Sequence, residues 1–201
     1  MKLVREDINE RFTEEADPIQ SMGIGLIHKL KEEYVKLHTW RRVTIDQVTI
    51  DDLLSMCLSD QKHPLSTVEA LIDAGANITA KGNPYLRMAV RKGLPFVKLL
   101  IEKGATPKMD NSECFSSAMF ARNYEIGEYL LSKGANINAG GSQALKRAVS
   151  RNDTTAAKWL LERGANPNSY GFYCLRESLK RKNLELSDIF AKEYVKARNL
   201  Q

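Results

Sequence analysis

The residues best equipped for metal or nucleophilic chemistry are three histidines (His28, His38, His63) and three cysteines (Cys57, Cys114, Cys174) in a chain of 201 residues. A zinc site needs such ligands in tight groups, as a Cys-x-x-Cys pair or two histidines one helical turn apart. Neither spacing occurs, and no histidine lies near a cysteine at a ligand-like separation. A thiol becomes a nucleophile when a neighbouring base or cation supplies the thiolate; these scattered cysteines read as packed thiols instead. Gly23-Ile24-Gly25 has two glycines of a phosphate-cradling turn, without the third and without a preceding strand. Serines, aspartates and glutamates are plentiful but form no catalytic motif. No enzymatic activity, cofactor or metal is expected.

Composition narrows the class of protein. Thirty Lys+Arg against 25 Asp+Glu leave a net charge of +5, with 43% hydrophobic and 27% charged residues, the balance of an ordinary folded chain. No apolar run approaches the roughly 20 residues that cross a bilayer. The opening MKLVREDINERFTEE has no signal-peptide core, and an odd number of separated cysteines suits a reducing compartment. A cytoplasmic protein with no membrane partner is expected. The basic balance, with a pI near 9.0, admits an acidic partner.

The elements that must position any binding residue announce themselves as a repeat. Gly-Ala recurs at Gly75-Ala76, Gly104-Ala105, Gly134-Ala135 and Gly164-Ala165, at intervals of 29, 30 and 30 residues. Two apolar residues precede each glycine: Leu71-Ile72, Leu100-Ile101, Leu130-Leu131 and Leu160-Leu161. A turn former follows seven positions after it (Gly82, Asn111, Gly141, Gly171), a large apolar residue eleven after (Leu86, Phe115, Leu145, Leu175), and a small residue fourteen after (Ala89, Ala118, Ala148, Ser178). Lys followed by Gly ends a helix, since the cation suits the helix dipole and glycine adopts the left-handed conformation that stops it. Each unit therefore reads as a turn, a short helix, a second turn and a longer helix. One unit cannot bury its apolar face alone, so stacked units must share a core.

This pattern resembles the ankyrin repeat, carried by LLIEKGATPK (99–108), YLLSKGANIN (129–138) and WLLERGANPN (159–168) and covering about residues 66–191. The resemblance implies an all-α solenoid of about five helix pairs with short hairpin fingers, preceded by an N-terminal helical extension. The extension is expected over 1–48 and the solenoid over 49–201, in units of about 49–74, 75–103, 104–133, 134–163 and 164–201. The family's Thr-Pro-Leu-His reads here Pro84-Tyr85-Leu86-Arg87, Glu113-Cys114-Phe115-Ser116 and Gln143-Ala144-Leu145-Lys146, so only the apolar position survives. The period is also shorter than the family's roughly 33 residues. Segments 51–59 and 67–74 read as a first helix pair without a finger, and 184–195 as the closing helix of a polar cap.

The resemblance also implies which positions face a partner: five, six and eight after each glycine for the fingers, and sixteen and seventeen for the first helices. These are Ala80, Lys81, Asn83, Arg91 and Lys92; Met109, Asp110, Ser112, Phe120 and Ala121; Ala139, Gly140, Ser142, Ser150 and Arg151; and Ser169, Tyr170, Phe172, Lys180 and Arg181. The binding set is expected to be Lys81, Asn83, Arg91, Lys92, Met109, Asp110, Phe120, Arg151, Tyr170, Phe172, Lys180 and Arg181. Six cations stand there against the single acid Asp110, whereas the second helices balance their charges. Arginine beside aromatic residues is the composition of interface hot spots. The expected partner is a protein with an acidic surface; the alternative is a nucleic acid or nucleotide on the same face, with aromatic rings stacking on bases.

Ahead of the repeats, Ile24, Ile27, Leu30, Tyr34 and Leu37 lie at helical spacing, so an amphipathic helix is expected over about 24–39, packed on the first helix pair. The alternating stretch 42–49 reads as a short strand or an extended connector. The opening from Arg5 to Gly25 also resembles the leader of uncharacterised proteins from large tailed phages, which implies a phage-encoded modulator of a host protein, acting in the host cytoplasm.

Overall fold

The structure is a computed structural model that describes residues 18–38, 44–45, 48–79, 84–108 and 112–198. They fall into two compact units, one ending at Asn77 and the other beginning at Ile78.

The first unit holds α1 (Pro18–Leu37), α2 (Ile50–Ser59) and α3 (Leu65–Asp73). The expected amphipathic helix is present as α1, begins six residues earlier than its apolar stripe, and packs on α2. Leu30 and Tyr34 are buried while Ile24 and Leu37, at the two ends of the stripe, are exposed. A capping box starts α2: the Thr49 hydroxyl accepts from the Asp52 N–H at 3.1 Å, and the Asp52 carboxylate accepts from the Thr49 N–H at 2.9 Å. Helices α2 and α3 then pack together, burying Leu53, Leu54 and Cys57 on one and Val68 and Leu71 on the other. In the alternating stretch 42–49, the described residues Thr44, Ile45, Val48 and Thr49 contain no strand.

The second unit holds four helix pairs: α4 (Pro84–Lys92) with α5 (Leu94–Glu102), α6 (Glu113–Phe120) with α7 (Tyr124–Ser132), α8 (Ala139–Ser150) with α9 (Thr154–Glu162), and α10 (Tyr173–Lys180) with α11 (Leu184–Arg198). A four-residue strand, β1 (Ser169–Phe172), precedes α10. Among the described residues one helix pair, α2 with α3, thus stands in the first unit and four in the second, the all-α helix-pair build that the repeat implies.

The repeated residues do the work their spacing predicts. Leu86, Phe115 and Leu145 are fully buried, as are Leu100, Leu130 and Leu160 on the second helices. The small residues Ala89, Ala118, Ala148 and Ser178 are also buried, and they let successive first helices approach closely. The first helices α4, α6, α8 and α10 form the tight row, while successive second helices touch sparsely. A stack that is tighter on one side curves toward it, so the first helices line the concave side of this unit. In the last copy Ser178 donates to the Leu175 carbonyl at 2.8 Å, so its one polar small residue is satisfied.

The second helices α5, α7 and α9 each end on a glycine in the left-handed region (φ +105° at Gly104, +87° at Gly134, +89° at Gly164). The next N–H reaches back five residues: Ala105 to Leu100 at 2.8 Å, Ala135 to Leu130 at 2.9 Å and Ala165 to Leu160 at 3.0 Å. Gly93 (φ +123°) follows the first helix α4, and α6, α8 and α10 end in a left-handed residue without glycine. Arg122, Asn152 and Lys182 take φ of 56–57°, and Asn123, Asp153 and Asn183 reach back to Ala118, Ala148 and Ser178. Those last three residues then cap the second helices, each side chain accepting from the N–H three positions on at 3.0–3.1 Å.

The fingers are joined by side chains. Ser112 Oγ accepts the Asn136 N–H at 2.9 Å, and Asn138 Oδ1 accepts the Asn166 N–H at 2.7 Å. The terminal pair is less polar than a cap was expected to be: Leu179, Leu184 and Val195 are all exposed.

Candidate functional site: the concave face of the second unit

Four of the expected binding residues, Lys81, Asn83, Met109 and Asp110, lie outside the described residues. The others fall on the first helices or beside them. Arg91 and Lys92 close α4; Arg91 is exposed and the Lys92 ammonium sits 4.6 Å from the centre of the Phe96 ring. Tyr170 lies in β1. Phe172 is about half exposed, its ring centre 4.3 Å from that of Tyr194. Lys180 and Arg181 both turn onto Glu177, at 4.0 Å and 2.9 Å, and the Arg181 guanidinium holds that carboxyl below the usual carboxylate range.

Phe120 and Arg151 make the clearest constellation. Phe120, the last residue of α6, is 54% exposed, so its ring is not core. Arg151, just beyond α8, places its guanidinium 4.1 Å over that ring and donates from Nη1 to the Phe120 carbonyl at 2.6 Å. The contact combines a cation on an aromatic face with a hydrogen bond and fixes two side chains from successive repeats.

Two expected face residues are elsewhere. Ala139 and Ser142 are buried. Gly140, Gly141 and Ser142 are three successive left-handed residues, a reversal that folds the finger back. It brings Ser142 Oγ within 2.9 Å of Asn138 Oδ1, the Asn166 carbonyl and Ser169 Oγ. Ser142 therefore joins repeats and does not face outward.

Beside Phe120 and Arg151 opens a groove of about 470 Å³ that the offsets did not predict, completed by Gln143, Lys146, Arg147, Ser150 and Tyr173. Arg147 donates to Ser116 Oγ of the preceding repeat at 3.1 Å. Ser150 Oγ lies 2.9 Å from the Lys146 carbonyl and 2.7 Å from the Tyr173 hydroxyl of the following repeat. A sequence signal existed. Position twelve after the glycine, one helical turn before the offset used, holds Arg87, Ser116, Lys146 and Arg176, three of them cations.

The three cysteines are all buried. Burial pushes the Cys174 thiol up from 9.0 to about 11, which keeps it protonated near neutral pH. Among the described residues no cluster of His, Cys, Asp and Glu is placed to hold a metal ion, and no helix is long and apolar enough to cross a membrane.

Residues 86–171 match the family described as ankyrin repeats, in three copies. The match runs from Leu86 in α4 to Gly171 in β1 and so takes in the groove as far as Arg151; it gives no support to a phage origin. No curated protein matches the chain.

Proposed function

We propose that this ankyrin-repeat solenoid is a non-enzymatic interaction module, acting in the cytoplasm, that holds an acidic patch or loop of a protein partner on its concave face. Ankyrin repeats generally mediate contacts between proteins. The observation that carries the reading here is the exposed Phe120 ring under the Arg151 guanidinium. A large ring held out of the core and braced by arginine is the kind of residue on which binding energy concentrates. Arg91, Lys180 and Arg181 extend the basic character along the same row of helices. The finer version, a phage-encoded modulator of a host protein, rests on the leader-like segment from Arg5 to Gly25 alone.

The test is the combined charge reversal Arg91→Glu, Arg151→Glu and Arg181→Glu. Partners captured by the wild-type chain are identified, and their affinity for both proteins is measured after circular dichroism has shown the same helix content. Binding is expected to be lost in the variant. Unchanged affinity would overturn the assigned face. The nucleic-acid reading is the poorer fit, because the run of cations that would track phosphates is interrupted in the second copy, where the sequence has Asp110. A steep fall in affinity for arbitrary single strands with rising salt would restore it.

A further inference from the structure

We propose that the groove between α6, α8 and α10 is a subsite for one acidic side chain of an extended peptide segment, with Lys146 and Arg147 taking the carboxylate and Phe120 and Tyr173 receiving the apolar side chain next to it. This inference rests on the protein-binding reading above and adds the chemistry of the residue that docks.

The first argument is charge. None of the residues lining the groove is acidic. Elsewhere in this unit arginines meet carboxylates: Arg87 on Glu113, Arg122 on Asp153, Arg163 on Glu128 and Arg181 on Glu177. Arg147 and Arg151 hydrogen-bond only to neutral oxygens, those of Ser116 and Phe120 respectively, and Arg147 also to the Gln143 amide when its oxygen faces the guanidinium. Two guanidinium charges are thus fixed in place without a counter-charge.

The second argument is preorganisation. In that orientation Gln143 accepts from Arg147 Nη2 at 3.2 Å and Nε at 3.3 Å, while Nη1 donates to Ser116 at 3.1 Å. The guanidinium plane is held from two helices while further N–H groups remain. A ligand need not order this side chain, so the cost of binding falls. A carboxylate is the planar acceptor that suits the remaining donors, with charge-assisted hydrogen bonds.

The third argument separates carboxylate from phosphate. The Ser150 hydroxyl donates to the Lys146 carbonyl, so the Tyr173 hydroxyl proton goes to Ser150. Both hydroxyl protons are then spent inside the protein. Tyr173 offers the groove an oxygen lone pair, which repels a third anionic oxygen but accepts a backbone N–H from an extended segment. The volume of about 470 Å³ is that of an ordinary small-ligand site, enough for one or two side chains.

The experiment titrates the full chain with a capped Gly-Phe-Glu-Phe-Gly peptide and its Gly-Phe-Gln-Phe-Gly counterpart, following the backbone amides of α8 and the arginine Nε–H signals by NMR. The glutamate peptide is expected to shift Arg147 and Ser150 saturably, and the glutamine peptide to bind about tenfold more weakly, since a hydrogen bond to a charged group is lost. Lys146→Ala should weaken the glutamate peptide to a similar extent, and Lys158→Ala, on α9, should leave it unchanged. Equal binding of the two peptides, no saturable shift in α8, or inorganic phosphate binding as tightly as the glutamate peptide would each overturn the subsite. If Lys146→Ala alters the helix content, Arg147→Lys replaces it, and undiminished binding in the folded variant overturns the proposal. Failure of the peptide with loss of partner binding in the triple reversal leaves the face standing without this subsite; the converse leaves a peptide groove on a face that is not the partner's.

Discussion

First and second helices in the second unit share one core but finish their surfaces differently. The second helices α7, α9 and α11 open on side-chain caps, Asn123, Asp153 and Asn183, and settle charges across repeats, Arg163 with Glu128 and Lys158 with Glu185. The first helices α6, α8 and α10 open without a side-chain cap, and Arg147 of α8 and Arg151 just beyond it rest on neutral oxygens and on an aromatic ring. The outer layer is therefore internally compensated, with charge matched to charge and donors matched to caps. Around α8 the inner layer is fixed in shape but leaves the Arg147 and Arg151 charges on neutral partners, which stabilises the fold little and has meaning only toward something else.

Substitutions can break or sharpen this contrast. The largest effect belongs to the shared core, where the layers should not differ. Leu145→Ala in α8 and Leu160→Ala in α9 are both expected to cost about 2–5 kcal/mol in urea unfolding, through the cavities they leave; a large difference between them would mean the layers do not share one core. Next is Asp153→Ala, which removes the cap of α9 and the Arg122 partner from a site only 6% exposed. It should lower stability by about 2 kcal/mol, more than Asn123→Ala, whose cap has no ion pair. Lys182→Gly is expected to move the other way, raising stability by about 0.5–1 kcal/mol because a left-handed lysine is relieved. The smallest effect is Lys158→Ala, under about 0.5 kcal/mol and fading with salt, since its pairing with Glu185 is exposed.

The parts legible in the sequence were those where a residue type and a backbone requirement coincide. Gly-Ala marked the ends of the second helices because glycine takes the left-handed position easily. The matching ends of the first helices went unseen, since Arg122 and Lys182 make the same bend without any residue preference for it. The caps were legible and unread: Asn123, Asp153 and Asn183 recur every thirty residues. At the site, the sixteenth and seventeenth offsets led to Phe120 and Arg151. They could not reveal Arg147, whose fixed position depends on Ser116 in another repeat, thirty-one positions away. Ser142 was placed outward because nothing in Gly-Gly-Ser announces three left-handed residues in succession.

The asparagine joints between fingers bear on how the array comes apart. Asn138 accepts the Asn166 N–H at 2.7 Å and donates to the Gly164 carbonyl at 3.2 Å, while Ser142 reaches the Asn166 carbonyl at 2.9 Å. The fingers of the third and fourth copies are thus bolted at several points, whereas among the described residues the fingers of the seam before it share the Ser112–Asn136 bond at 2.9 Å, and that seam is joined mainly between helices, through Arg122 on Asp153, Arg147 on Ser116, Arg151 on Phe120 and Arg163 on Glu128. A repeat array opens where a neighbour interface is weakest. The joint between the last two fingers should therefore be late to open, and the Asn166 amide, though in a surface turn, should exchange its hydrogen only when that joint opens.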